Sequence, residues 1–230
     1  MSGGLDSTVV ATLAVEALGS DRVYGLTLPS NKTGAVNARD AEGIAEALGI
    51  EHDTIHLQPP LSQFSDCLPG RFDLHDDPVT TGNLVARLRM TTAYLAANAT
   101  GGLVLGTTNR SERLLGYVTK HGDGAADLLP IGHLYKMQVR SLARSLDVPE
   151  FVLEKQPTAG FLPGRYDRDD LGATYDLVDP VLRLAIEEGI DPSAVADRVG
   201  ADEALVRRLL ARHERTEHKR SPPPIPNGDW

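Results

Sequence analysis

The first residues able to do chemistry stand at the head of the chain, in "SGGLDS" from Ser2 to Ser7. Two adjacent glycines let backbone N–H groups converge on one point with no side chain in the way, which makes a concave anion site. The apolar residues Val9, Val10, Leu13, Ala14, Ala17 and Leu18 then spell a helix with Gly19 as its stop. The positive end of that helix faces the same point. Ser2 and Ser7 offer hydroxyl donors. Asp6 repels a bare phosphate, so its place in the loop suggests a Mg²⁺ ion shared between carboxylate and phosphate oxygens. The loop carries no Lys and does not fit G-x-x-x-x-G-K-[ST]. It suits holding pyrophosphate as a leaving group better than γ-phosphoryl transfer. Taken alone, the six residues also read as a plain helix-capping turn.

A loop of this kind needs elements to present it. "RVYGLTL" predicts a short buried strand, "ARDAEGIAEALG" a helix stopped by Gly49, and "HDTIHL" a second strand. The stretch from 59 to 80 reads as irregular, with a weak helix and a loop. "NLVARLRMTTAYLAANATG" predicts a long helix beginning at an Asn cap, and "GLVLGTTN" a third strand. Strands alternating with helices indicate an α/β fold, a three-layer parallel sheet with helices on both faces. Sites in such folds lie at the carboxyl ends of the strands, where "SGGLDS", "PSNK" and "GTTNRSE" fall. Further on, a Gly/Asp loop leads into an amphipathic helix closed by Pro149. "QPTAGFLPGRYDRDDLG" reads as a loop, and two small helices precede the extended "SPPPIP". No repeat or long linker divides the chain, so residues 1–230 read as one domain.

Composition narrows the function. A net charge of −9 argues against a broad nucleic-acid surface. No 18-residue apolar run or cleavable leader pattern is present, and the expectation is a cytoplasmic protein without membrane contact. Cys67 stands alone, which excludes an internal disulfide. Arg outnumbers Lys 18 to 5, so each Lys is worth locating. His52 and His56 share a strand face but lack a third ligand, and read as structural.

"SGGLDS" resembles the pyrophosphate loop of the N-type ATP pyrophosphatases, which adenylate a substrate and release pyrophosphate. Within that superfamily, "NLVARLRM", "GTTNRSERLLGYVTKHGDGAADLLPIGHLYK", "KQPTAG" and "EHKR" resemble, in order and spacing, the ammonia-dependent NAD synthetases. The likeness runs from Ser2 to "PPIP". It implies an adenine nucleotide α-hydrolase-like, Rossmann-like fold. The implied reaction has two steps: the nicotinate carboxylate of deamido-NAD takes AMP from ATP, and free ammonia then displaces AMP to give NAD. No amidase domain accompanies the motifs, so free ammonia is the expected donor.

The resemblance also implies roles. Ser2, Gly3, Gly4, Leu5, Asp6 and Ser7 would cradle pyrophosphate, with Thr107, Lys136 and Thr158 as further ATP contacts. Asp6 and Glu112 would be Mg²⁺ ligands, although "SER" is also an ordinary helix start with Ser111 as its cap. Arg87, Lys120, Asp127, His218 and Lys219 would contact deamido-NAD. Bottom-up, Lys120 suits a carboxylate or phosphate, and Asp127 a ribose hydroxyl or amine. His218 and Lys219 otherwise read as a basic helix end. A homodimer is implied, with the dinucleotide near the subunit interface.

In the family, a segment ahead of the loop supplies a helix and a central strand; here only Met1 precedes it. A buried strand contributes about four apolar side chains at roughly 1.5–3 kcal/mol each. The expectation is that Met1 is an internal methionine or that the chain is trimmed. The rivals are another adenylating relative, such as a tRNA-thiolating enzyme, and a nucleotide-binding protein without activity.

Overall fold

The computed structural model describes residues 1–30, 34–72, 77–158 and 164–226. Asn31 and Lys32 of "PSNK" and residues 159–163 of the Gly/Pro-rich loop lie outside that set. Helix α1 (Leu5–Leu18) starts directly at the glycine turn and ends at Gly19, as its apolar pattern predicts. Strand β1 (Tyr24–Thr27), helix α2 (Gly34–Leu48) and strand β2 (Glu51–Thr54) follow. The two strands pair in parallel, with Tyr24 opposite Glu51 and Thr27 opposite Thr54. β2 is shorter than the apolar pattern suggests. Beyond it, the Ile55 and Leu57 N–H groups still bond to the Thr27 and Pro29 carbonyls.

Helix α3 (Gln58–Cys67) fills the stretch read as a weak helix. The long helix α4 (Pro78–Thr100) begins six residues earlier than expected. Its cap is Asp77, whose carboxylate accepts from the Val79 and Thr80 N–H groups. An Asp followed by Pro at the first helical position is a strong start signal, and Asn83 is left in the helix interior. There its side-chain oxygen accepts from the Thr119 hydroxyl.

Among the described residues the expected third strand is a single parallel bridge, Leu105 to Leu128. The Val104 and Gly106 backbone groups are taken up by the 127–128 turn, which is too short to extend a ladder. The free edge of β1 receives the amino group of Met1 at the Leu26 carbonyl.

The second half is helical: α5 (Arg110–Leu115), α6 (Lys136–Ser145), α7 (Glu150–Leu153), α8 (Asp167–Leu171), α9 (Tyr175–Leu182), α10 (Pro192–Val199) and α11 (Glu203–Arg215). Two apolar clusters hold the molecule. One joins α1, α2, α6 and α7 through Val9, Ile44, Val139 and Val152; the other joins α5, α9, α10 and α11 through Leu115, Val178, Val195 and Val206. Helix α6 lies between them and α5 starts beside it, so the site sits where the clusters meet. No helix among the described residues is long and apolar enough to cross a membrane.

Candidate active site

Gly3 adopts φ +67°. A Cβ there would stand 2.6 Å from the Asn37 carbonyl oxygen, because α2 packs directly on the turn. Only glycine meets both conditions. The Ser2 and Ser7 hydroxyls lie 2.9 Å apart, the Gly4 N–H donates to Ser2 Oγ, and the Ser7 hydroxyl donates to the Gly4 carbonyl. The loop is thus closed by its own serines, with Leu5 opening the helix behind it.

Asp6, in the first turn of α1, meets two side chains from far along the chain. Asn109 Nδ2 donates to Asp6 Oδ1 at 3.1 Å, and the Lys136 ammonium contacts Asp6 Oδ2. Lys136 Nζ also lies 3.7 Å from Glu112 Oε1. Asn109 caps α5: its Oδ1 accepts from the Glu112 N–H, while Glu112 Oε2 accepts from the Asn109 N–H. The helix-start reading of Glu112 holds, but with Asn109 rather than Ser111 as the cap, since Ser111 lies inside α5. This leaves the other carboxylate oxygen facing Lys136.

Lys136 is only 6% exposed. Burial works against its charge, but Asp6 and Glu112 outweigh it and hold the ammonium above the ordinary lysine range. Glu112 is pushed up to about 8, first by burial and then by Asp6, with Lys136 opposing. Asp167 is buried nearby; its Oδ2 accepts from the Tyr175 hydroxyl at 3.0 Å, and the Tyr175 ring stands 5.6 Å from Lys136 Nζ. Burial raises the Asp167 carboxyl, Lys136 pulls it down, and Asp6 adds repulsion. Three carboxyl groups therefore crowd one ammonium, and burial raises two of them, Glu112 and Asp167. Among the described residues no group of three or more His, Cys, Asp and Glu forms a metal cluster. Two carboxylates fit Mg²⁺, which fills its remaining positions with phosphate oxygens and water. A cavity of about 270 Å³ opens beside this cluster, lined by Leu5, Lys136, Gln156, Tyr166, Asp167 and Tyr175 among others.

Other expected positions lie outside that cluster. The exposed Arg87 on α4 donates to the Lys120 carbonyl. Lys219 Nζ donates to the Gly116 and Val118 carbonyls, which pins the C-terminal turn to the segment leading into Lys120. Burial lowers the Lys219 pKa, with Arg212 adding to it. The Asp127 carboxylate accepts from the Val104 N–H at 2.7 Å and the Tyr94 hydroxyl at 3.3 Å, so it holds the 104–127 contact in place. His218 and Thr107 are exposed. The Thr158 hydroxyl donates to the Arg165 carbonyl. His52 pairs with Thr27, and Cys67 is an exposed free thiol.

Asn109, Lys155, Asp167 and Asp179 also belong to this site's framework and were not singled out from the sequence. The N-x-x-E spacing of Asn109 and Glu112 was a visible signal. Lys155 lay within "KQPTAG" without an assigned partner. The two aspartates carry no local mark.

Comparison with known proteins decides the family. Residues 1–223 match the family described as NAD synthase. The chain belongs to the NAD synthase family. An "NH(3)-dependent NAD(+) synthetase" of Methanosarcina mazei is 46% identical over 98% of this chain and 88% of its own length. One of Halobacterium salinarum is 44% identical over 98% of this chain and 83% of its own. Among solved structures, an NMN synthetase from Francisella tularensis aligns with TM-score 0.82 and 37% identity, covering 99% of this chain and 87% of that one. An NH3-dependent NAD synthetase from Campylobacter jejuni aligns with TM-score 0.79 and 31% identity, covering 98% and 86%. The parallel strands and flanking helices are the adenine nucleotide α-hydrolase-like, Rossmann-like fold of these NAD synthases.

Proposed function

We propose that the chain is an ammonia-dependent NAD synthetase. The observation that carries this reading is the meeting of Asp6, Glu112 and Lys136 at the base of the glycine turn. In the first step a nicotinate carboxylate oxygen attacks the α-phosphorus of ATP, and the bond to the bridging pyrophosphate oxygen breaks. In the second, ammonia attacks the acyl carbon, AMP leaves with the bonding electron pair, and the nitrogen loses a proton to become the amide. Carboxylate is a poor acyl donor because its leaving group would be oxide; adenylation replaces oxide with AMP.

The residues of this chain supply alignment and charge. The N–H groups of the turn and the Ser2 and Ser7 hydroxyls hold the pyrophosphate. Lys136 neutralises phosphate charge from a buried position where water screens it little. Thr107 and Thr158 add ATP contacts, while Arg87, Lys120, Asp127, His218 and Lys219 bind the dinucleotide. Asp6 and Glu112 would hold Mg²⁺, which when bound screens the phosphate oxygens of ATP.

Arg87, Thr91 and Leu95 share one exposed stripe of α4 at i, i+4 spacing, and Leu95 is 67% exposed. That stripe supports a homodimer whose contact runs beside the dinucleotide site. A cytoplasmic location and a single domain complete the reading.

The test is NAD and pyrophosphate formation from deamido-NAD, Mg-ATP and ammonium by the 230-residue chain. Equal amounts of both products are expected. Because one solved neighbour is named an NMN synthetase, nicotinate mononucleotide is assayed beside deamido-NAD. A clear preference for the mononucleotide would overturn the substrate assignment, and ATP binding without pyrophosphate release would overturn the activity.

A further inference from the structure

The two charged residues proposed to act on ATP, Glu112 and Lys136, sit on different helices, and something must hold those helices in register. The first two N–H groups of α6 belong to Lys136 and Met137. Neither is capped by α6 itself. The Lys136 N–H donates to Ser111 Oγ at 2.9 Å, and the Met137 N–H donates to Asp179 Oδ2 at 2.9 Å. The Ser111 hydroxyl in turn donates to Asp179 Oδ1 at 2.6 Å. Ser111 is fully buried and immediately precedes Glu112; Asp179 is 6% exposed, within α9 and beside Val178 and Val181 of the C-terminal apolar cluster.

We propose that Asp179 is a positioning residue, whose single carboxylate clamps the starts of α5 and α6 together and so sets the separation of Glu112 from Lys136. Both oxygens are used, one by the residue before Glu112 and one by the residue after Lys136. The carboxylate lies at the positive end of α6, which with its two hydrogen bonds offsets part of the cost of its burial. An amide replaces it only in part: with its oxygen on the Met137 N–H, its Nδ2 would face Ser111 Oγ and the Ser111 hydroxyl proton would lose its acceptor. The clamp reads the position of the C-terminal helices into the ATP site without touching a reacting atom. The inference rests on the assignment of Glu112 and Lys136 to ATP.

The experiment compares Asp179→Asn, Ser111→Ala and the double variant with the parent. Circular dichroism and thermal melting establish folding, and Mg-ATP affinity is measured by calorimetry alongside steady-state kinetics. The expected result is a rise of about tenfold in the Mg-ATP dissociation constant and a comparable fall in kcat, with the KM for deamido-NAD within about twofold of the parent. The double variant should be no worse than the poorer single variant, because both remove one clamp. If Asp179→Asn does not fold, Ser111→Ala carries the same expectation, since alanine suits a helix and leaves no new polar group. Folded variants with unchanged Mg-ATP affinity, equal loss toward both substrates, or additive effects would each overturn the proposal. Failure of the underlying assignment is separate: then Lys136→Ala would also leave Mg-ATP affinity unchanged.

Discussion

The Lys155 ammonium donates to the Gly3 carbonyl oxygen at 2.6 Å and contacts the Asp40 carboxylate. One cation thus links the glycine turn, helix α2 and the end of α7. The Gly3 peptide is held with its carbonyl turned toward Lys155, which frees the N–H side of the turn for an anion. Lys155→Met keeps the aliphatic stem and removes the donor. It should raise the KM for ATP several-fold and lower stability by about 1–3 kcal/mol, the cost of removing a hydrogen bond to a charged group. Kinetics and denaturant melts check this; an unchanged KM for ATP would refute the link.

Asp6→Asn keeps the shape of the side chain and its reach to Asn109 but removes the charge facing Lys136. Turnover should fall on the order of a hundredfold or more, while the fold persists. Saturating Mg²⁺ should not restore it. Near-parental turnover would remove Asp6 from the proposed ligand set.

Lys120→Ala addresses the proposed dinucleotide contacts. Its carbonyl holds Arg87, and that contact survives the change because it uses the backbone. The KM for deamido-NAD should therefore rise more than the KM for ATP. Equal effects on both substrates would point to a loop defect instead.

Glu112 gives a pH dependence. Its carboxyl is raised from the ordinary value of 4.5 to about 8, chiefly by burial and by Asp6. A raised pKa stabilises the fold at low pH. The contribution is complete below the unfolded value of 4.5 and is lost as pH rises toward about 8. A divalent cation at Glu112 displaces that proton. The gain in melting temperature on adding Mg-ATP should thus grow between about pH 6 and about pH 8, and Glu112→Gln should flatten it. A gain independent of pH in both proteins would contradict the assignment.

Much of this was legible in the residues. The glycine turn follows from residue type alone, since only Gly accepts the φ of Gly3 and the approach of Asn37. Helix α1 and its stop at Gly19 follow from periodicity. What escaped depends on contacts across long sequence separations. Asp179 lies 68 residues from Ser111 and 42 from Met137, and it looks like any helical Asp until the fold brings the three together. The start of α4 was displaced because Asn83 and Asp77 are both good caps, and the Pro after Asp77 decides between them. The third strand shrank to a bridge at Leu105 because a strand needs partners, and apolar patterning does not reveal where they lie.

The reciprocal cap between Asn109 and Glu112 has an evolutionary consequence. Asn109 also reaches Asp6, and Glu112 also faces Lys136, so helix initiation and the charge balance around Lys136 are written into the same two side chains. Drift at either position changes folding and chemistry together, and selection on one trait constrains the other. A redesign of the proposed Mg²⁺ site should therefore leave these two positions alone and work from the neighbouring wall that Asp167 and Tyr175 provide.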